Sequence, residues 1–268
     1  LRMPSEQTPF DLTVTGPGAA GSACWYAARQ QGKSVAVFED DALGGECANF
    51  ACIPTKALLH AAEVYESAQT SSLYGVTTKR LGFDYARVRA WKDEVLKETG
   101  AALGTNPYED AGVSLVQHRA TFTAPGEIEA DGQRYTAGHF LVAPGAREGI
   151  PDIEGLHESG FLTFRDAVDL KQLPESIFIM GGGAVGCEFT QLFSSFGSRV
   201  TLMETNDRLL HNEDPEAGEL LGRIFRERGV ELLTKAKVLR VQRDGKHRLV
   251  TVEQGGNQAT HRVAQVLI

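Results

Sequence analysis

Apolar positions along the chain fall into short runs cut by glycine clusters, and two of these runs share one plan. Phe10 to Thr15, "FDLTVT", has the length and composition of a β-strand. It breaks at Gly16-Pro17-Gly18-Ala19-Ala20-Gly21, and a helix-type pattern follows to about Gln31. Gly32 closes that helix, and "SVAVFE" (Ser34 to Glu39) predicts the next strand. The plan returns with "SIFIM" (Ser176 to Met180), then Gly181-Gly182-Gly183-Ala184-Val185-Gly186 and a helix to about Phe196. Gly197 closes it, and "RVTLME" (Arg199 to Glu204) is the second strand.

Other elements lie between and after these units. Leu58, Leu59, Ala62 and Tyr65 share one face of a helix predicted from Thr55 to about Ser71. Pro54 is expected to disrupt helical bonding just after Cys52. A second helix is predicted over Asp84 to Leu103. "VSLVQ", "ATFTA", a Gly132 turn and "HFLVA" predict a small β-meander that returns to a parallel sheet. Asp214 as N-cap and Pro215 at the first helical position start a helix that ends at Gly229, followed by the strand "VELLT". "KVLRVQRDG" and "HRLVTVEQGG" alternate as a hairpin, and "RVAQVLI" opens one more strand. The fold class expected is α/β, with two Rossmann-like domains over 1–150 and 151–268 and a small β-meander.

Composition narrows the function classes. The chain has 268 residues, 42% of them hydrophobic, which is enough for two ordinary cores. A formal net charge of −8 argues against nucleic acid or an anionic membrane as the main partner. No apolar run approaches the roughly 20 residues needed to span a bilayer. The first residues, "LRMPSEQTPFD", lack the basic and apolar regions of a signal peptide, so the cytoplasm is the expected compartment.

The Gly-rich turns carry the first chemistry. In each loop the first glycine (Gly16, Gly181) permits a tight turn. The second (Gly18, Gly183) lets backbone approach a pyrophosphate, and the third (Gly21, Gly186) allows close helix–strand packing. The helix N-terminus then faces the phosphate charge. Glu39 and Glu204 end the second strands at the same offset from their loops, where a carboxylate accepts hydrogen bonds from a ribose diol. One such loop is a weak signal, and two matched copies predict two dinucleotide sites. Glu204 would repel a 2′-phosphate, which favours NAD over NADP. Arg208 is close enough in sequence to weaken that preference, unless it is a solvated charge at a helix edge.

The second signal is "GGECANFACIPTK" (Gly44 to Lys56), where Cys47 and Cys52 sit five positions apart. A metal site would want more ligands nearby, and His60 is the one candidate. Two small buried residues are the bland alternative. A redox-active pair is the third, and the context favours it. Gly44-Gly45 frees the backbone to pass a ligand, and Lys56 places a cation near a thiolate at a helix start. Cys24 and Cys187 fall inside the two Rossmann helices as small core residues. The seven histidines show no catalytic pairing with an acid.

"GGECANFACIPTK" resembles the active-site signature of the class I pyridine nucleotide–disulfide oxidoreductases, a family that includes dihydrolipoamide dehydrogenase, glutathione reductase and mercuric reductase. The resemblance covers nearly the whole chain in the family's order. It implies an FAD loop first, with Glu39 on the adenosine ribose, then the redox pair. "LVAPGAREGIP", with Gly145, resembles the crossover into the second domain. "GGGAVGCE" with "LME" resembles the NAD(P) loop. The resemblance also implies roles. Cys52 lies against the flavin as the charge-transfer thiolate, and Cys47 exchanges with the substrate disulfide. Lys56 pairs with Glu188 beside the flavin. Read bottom-up, Glu188 is a carboxylate near a helix start, with that as its bland role.

The same resemblance implies electron passage between a nicotinamide, FAD and a Cys47–Cys52 disulfide, with a small-molecule or protein-bound disulfide or dithiol as substrate. A dihydrolipoamide dehydrogenase-like enzyme is the first expectation and a mercuric reductase-like one the second. Three residues depart from the family pattern: Ala51 and Pro144, which stand for a usual Gly and Thr, and Ala184, which stands where some members carry an aromatic. The family's C-terminal domain, which forms the homodimer and supplies a His–Glu pair, has no counterpart before Ile268. A dinucleotide-binding chain without catalysis is therefore the rival expectation. A flavin oxidase or monooxygenase would share the loops and leave the cysteine pair unexplained.

Overall fold

The computed structural model describes residues 9–99 and 104–268. The described residues fall into two compact units, one within Leu1–Pro54 and Asp93–Arg147, the other within Thr55–Lys92 and Glu148–Ile268. In chain order the elements begin with β1 (Phe10–Thr15), α1 (Ala19–Gln30), β2 (Val35–Phe38), α2 (Gly45–Asn49) and α3 (Cys52–Thr70). Next come α4 (Tyr85–Glu98), α5 (Asn106–Asp110), β3 (Ser114–Val116), β4 (Thr121–Ala124), β5 (Glu127–Ala130) and β6 (Gln133–Val142). The rest are α6 (Leu156–Ser159), α7 (Phe164–Val168), β7 (Ser176–Met180), α8 (Ala184–Ser195), β8 (Arg199–Met203), α9 (Pro215–Glu227), β9 (Glu231–Leu233), β10 (Ala236–Asp244), β11 (His247–Gln254), β12 (Asn257–Val263) and β13 (Gln265–Leu267).

The first unit is built on one sheet of order β3-β2-β1-β6-β5-β4. β3, β2, β1 and β6 run parallel, with Val14 opposite Val37 on one side and Leu141 on the other. β2 is apolar at every position because both of its faces are covered. Val35 and Val37 pack with Val14, Trp25, Tyr108 and Val113, while Ala36 and Phe38 pack with Ile128, Ala130 and Tyr135. The antiparallel meander is β4-β5-β6, so "VSLVQ" joins the parallel sheet instead, as β3 beside β2. The separate strand β5 lies between two glycine turns, Gly126 (φ 81°) and Gly132 (φ 71°).

The second unit repeats the parallel plan. Its four-stranded sheet has the order β13-β7-β8-β9, which read from β9 is again third-second-first-fourth in chain order. Ile177, Ile179, Val200 and Leu202 pack against Phe189, Leu192 and Phe193 of α8 and against Leu58 and Ala62 of α3. Phe178 and Met203, on the opposite face, pack with Val238, Val241, Val250 and Val252. The expected hairpin is a three-stranded sheet, β10-β11-β12. "RVAQVLI" is not one strand. Ala264 donates its N–H to the Ser176 hydroxyl oxygen at 3.0 Å, and the chain passes there from β12 into β13.

Two helix expectations change. α3 begins at Cys52, with Pro54 in its first turn. A first-turn N–H has no intrahelical acceptor, so proline is tolerated there and does not interrupt the helix. α4 ends at Glu98, and the expected extension over 100–103 lies outside the described residues. The α9 expectation fits closely, with the Asp214 side chain accepting from the Glu216 N–H at 3.0 Å and Gly229 at φ 80°.

Candidate functional site

Both Gly-rich turns have the same backbone construction. Gly16 and Gly181 sit at φ 89° and 108°, where glycine is favoured. A Cβ on Gly21 would meet the Gly16 carbonyl oxygen, and one on Gly186 would meet that of Gly181, so the third glycines do allow close packing. The second glycines differ. A Cβ on Gly183 has open space, whereas Gly18 faces the backbone of Gly45. A Cβ on Gly45 would fall 2.5 Å from the Gly18 Cα, so the redox loop lies directly on the first Gly-rich turn. Gly44 (φ 88°) is the N-cap of α2, and Gly145 (φ 72°) has open space around it.

Helix capping separates the two loop helices from their neighbours. α1 and α8 start at Gly18 and Gly183 with no side-chain cap and no acid in the first turn. α7 has a capping box of Thr163 and Asp166, and α9 has its Asp214 cap. The first N–H groups of α1 and α8 thus have no side-chain acceptor, and both helices present the positive end of their dipole. That combination suits a pyrophosphate.

The two strand-end carboxylates are held differently. Glu39 Oε1 accepts from the N–H groups of Asp40 (2.9 Å) and Asp41 (2.8 Å). Glu204 is 5% exposed and faces its own glycine loop. Its Oε2 accepts from the Gly182 N–H at 2.7 Å. Its Oε1 accepts from the Asn206 N–H (2.7 Å), the Asn206 side-chain amide (2.7 Å) and the Thr205 hydroxyl (3.1 Å). Burial opposes ionisation of Glu204, but bonds from Asn206, Gly182 and Thr205 outweigh it and hold the carboxyl below the usual range. Arg208 Nη2 donates to the carbonyls of His211 (2.8 Å) and Glu213 (3.3 Å), and its Nη1 lies 3.8 Å from Asp207 Oδ1.

Cys47, in α2, and Cys52, at the head of α3, are joined by a disulfide, with Cα atoms 4.7 Å apart. Ala51 is not among the residues with positive φ, so its position does not demand the family's glycine. Lys56 lies one turn along α3 and forms an ion pair with Glu188 of α8. Glu188 is the fifth residue of α8, beyond the first turn where a helix dipole acts, so its partner is Lys56 and not the helix end. Ala184, Cys187, Glu188, Gln191, Leu210, Leu221 and Phe225 line a pocket of about 240 Å³. Burial pushes the Cys187 thiol up to about 12, with the charges of Glu204 and Glu188 adding to it. Cys187 thus remains a core thiol, and its Sγ–H points at the Gly182 carbonyl (3.4 Å).

Several contacts have no signal in the sequence. Tyr108 of α5 is buried against Trp25, with ring centroids 5.1 Å apart. Burial raises its hydroxyl pKa, the Glu39 charge adds to this, and a bond from the Gly44 backbone opposes it. Lys92 is buried and pairs with Asp169 at 2.5 Å. His247 does meet an acid, Glu175 at 2.9 Å, and Arg262 lies on its other nitrogen at 2.7 Å. Each of these partners is more than ten residues away in sequence, beyond any local pattern.

A fold with two Rossmann units, uncapped loop helices and a disulfide between α2 and α3 defines a class. Residues 10–268 match the family model described as "Pyridine nucleotide-disulphide oxidoreductase", and the chain belongs to that family. It is 37% identical over 267 residues to the mercuric reductase of Streptomyces lividans, covering 97% of this chain and 56% of that protein. It is 33% identical over 267 residues to the dihydrolipoyl dehydrogenase of Thermus scotoductus, with coverages of 97% and 56%. Among solved structures, the HOCl-induced flavoprotein disulfide reductase RclA from Escherichia coli matches with a TM-score of 0.80 and 26% identity, over 97% of this chain and 56% of that one. The chain thus spans about half the length of the curated relatives it matches. No helix among the described residues is long and apolar enough to cross a membrane.

Proposed function

We propose that this chain carries the flavin, nicotinamide and disulfide sites of an NAD-linked disulfide oxidoreductase. The observation that carries the proposal is the Cys47–Cys52 disulfide on a loop pressed against the first Gly-rich turn. FAD, when bound, would supply a two-electron relay between a nicotinamide and this disulfide. The first N–H groups of α1 would hold its pyrophosphate, with Gly18 and Gly45 leaving backbone instead of side chains there. Glu39, whose Oε1 is fixed by Asp40 and Asp41, would take the adenosine ribose. The N-terminus of α8 and Glu204 would take NAD, and the small Ala184 keeps the adjoining pocket open. Two electrons and two protons open the disulfide to two thiols. Cys47 then attacks a substrate disulfide as a thiolate, and Cys52 closes on it to release the reduced product.

A dihydrolipoamide dehydrogenase-like activity is the first reading for the substrate, with a thiol-for-disulfide exchange of this kind at its core. A mercuric reductase-like activity is the second, favoured by the 37% identity to the Streptomyces lividans enzyme. Under either reading the protein works in the cytoplasm, and as a homodimer at the relatives' full length.

The test uses the flavin-loaded protein and its Cys47→Ser and Cys52→Ser variants, titrated anaerobically with NADH. A long-wavelength absorption band is expected in wild type after two-electron reduction and in Cys47→Ser already with oxidised flavin, where Cys52 is a free thiolate, but in neither state of Cys52→Ser. The reverse pattern would exchange the two roles, and absence of the band in wild type would refute the redox reading. Oxidised lipoamide and mercuric ion, supplied separately as electron acceptors, discriminate between the two substrates.

A further inference from the structure

The buried carboxylate of Glu204 receives four hydrogen bonds, and their division between its oxygens is uneven. Oε1 takes three, two of them from Asn206, so it is saturated. Oε2 takes one among the described residues, from the Gly182 N–H of the dinucleotide loop. One acceptor site is left, and it is on the oxygen that touches that loop. A carboxylate 5% exposed needs donors to remain charged, and among the described residues those donors are the neutral groups of Gly182, Thr205 and Asn206. Arg208 Nη2 donates to the carbonyls of His211 and Glu213, and Nη1 faces Asp207. Gly182 cannot carry a side chain without displacing this arrangement, since its Cβ would lie 3.0 Å from the Glu204 Cβ and 2.5 Å from Leu209 Cδ2.

We propose that Asn206 is the positioning residue for nicotinamide-dinucleotide selectivity, holding the Glu204 carboxylate so that its Oε2 serves both the glycine loop and one ribose hydroxyl. This rests on the second Gly-rich turn being the NAD site. Asn206 itself need not touch the nucleotide. Its two N–H donors fix the carboxylate in one rotamer and keep it ionised. A 2′-hydroxyl donates to such a group, whereas a 2′-phosphate meets a fixed negative charge. The Cys187 thiol of α8 feels the Glu204 charge, and after β9 the exposed Lys235 meets Asn206 through its backbone N–H at 2.8 Å.

The experiment compares wild type with Asn206→Leu, Asn206→Asp and Thr205→Val, the last removing the longest of the four bonds. NADH and NADPH binding are followed by nucleotide fluorescence, and the Glu204 carboxyl titration by carbon NMR in the nucleotide-free protein. Loss of a donor to a buried charge predicts NADH affinity weaker by on the order of 10-fold in both Asn206 variants, and less in Thr205→Val. The NADH-over-NADPH preference shrinks, and the Glu204 titration moves up. In turnover KM for NADH rises while kcat holds. An unchanged preference and titration in folded Asn206 variants overturns the proposal and leaves the NAD reading standing. Wild type that binds neither nucleotide overturns both. Unfolding of all three variants also overturns it, because the bonds would then be structural alone.

Discussion

Gly45 has a φ of 71° and no room for a side chain, because its Cβ would press on the Gly18 backbone. Gly45→Ala is therefore strained both in conformation and in space, and is expected to destabilise the protein by about 1–3 kcal/mol. Urea unfolding followed by circular dichroism measures this, and a change below about 0.5 kcal/mol would show that the loop shifts freely. The same contact explains what was legible at this scale. Gly44, Gly45, Cys47 and Cys52 were recognisable as one loop from their spacing. That the loop leans on Gly18 was not, since nothing in either segment encodes their approach. Glu204 is a similar case. Its place at a strand end was evident, but its donors Thr205 and Asn206 look like ordinary turn residues until their side chains are seen to point back.

Two-sided burial is what makes elements such as β2, β7 and β8 readable in the sequence. Each is an apolar run whose alternate residues enter different clusters, as Ile177 and Ile179 do on one face of β7 and Phe178 on the other. Elements with one dry face, or of four or five residues, left weaker traces. The helices α2, α5, α6 and α7 and the strand β5 are of this kind, and glycine turns or caps define them more than periodicity does. Within α8, Phe189 and Phe193 lie one turn apart with centroids at 5.9 Å, and both are fully buried. Phe193→Ala is expected to cost about 3–5 kcal/mol through lost burial and an unfilled cavity. Calorimetry or urea titration reads it directly, and a cost under about 1 kcal/mol would mean that α3 closes over the gap.

The two compact units are interlaced along the chain, since Thr55–Lys92 interrupts the first and belongs to the second. Leu58 and Ala62 of that insert are fully buried with Phe189 and Phe193. A fragment of residues 151–268 made alone should expose this apolar face and aggregate, while the same fragment with residues 55–92 joined to it by a flexible linker should remain dispersed. Gel filtration at matched concentration distinguishes them, and a dispersed, cooperatively unfolding 151–268 fragment would show that the insert is dispensable. This arrangement could not be read from hydrophobic patterning, which sees a helix and not the strand it covers. It also bears on synthesis. The chain leaves the ribosome from its N-terminus, and β1 emerges early. Residues 137–142 of β6 pair with β1, and Thr15 donates its hydroxyl to the carbonyl of Leu141, 126 residues later. At typical elongation rates that separation is roughly 6–25 s. For that interval β1 has a bare edge while the ribosome is still producing the insert and the meander. Translation speed across residues 55–142 is therefore expected to alter soluble yield, which synonymous-codon variants of that stretch would measure.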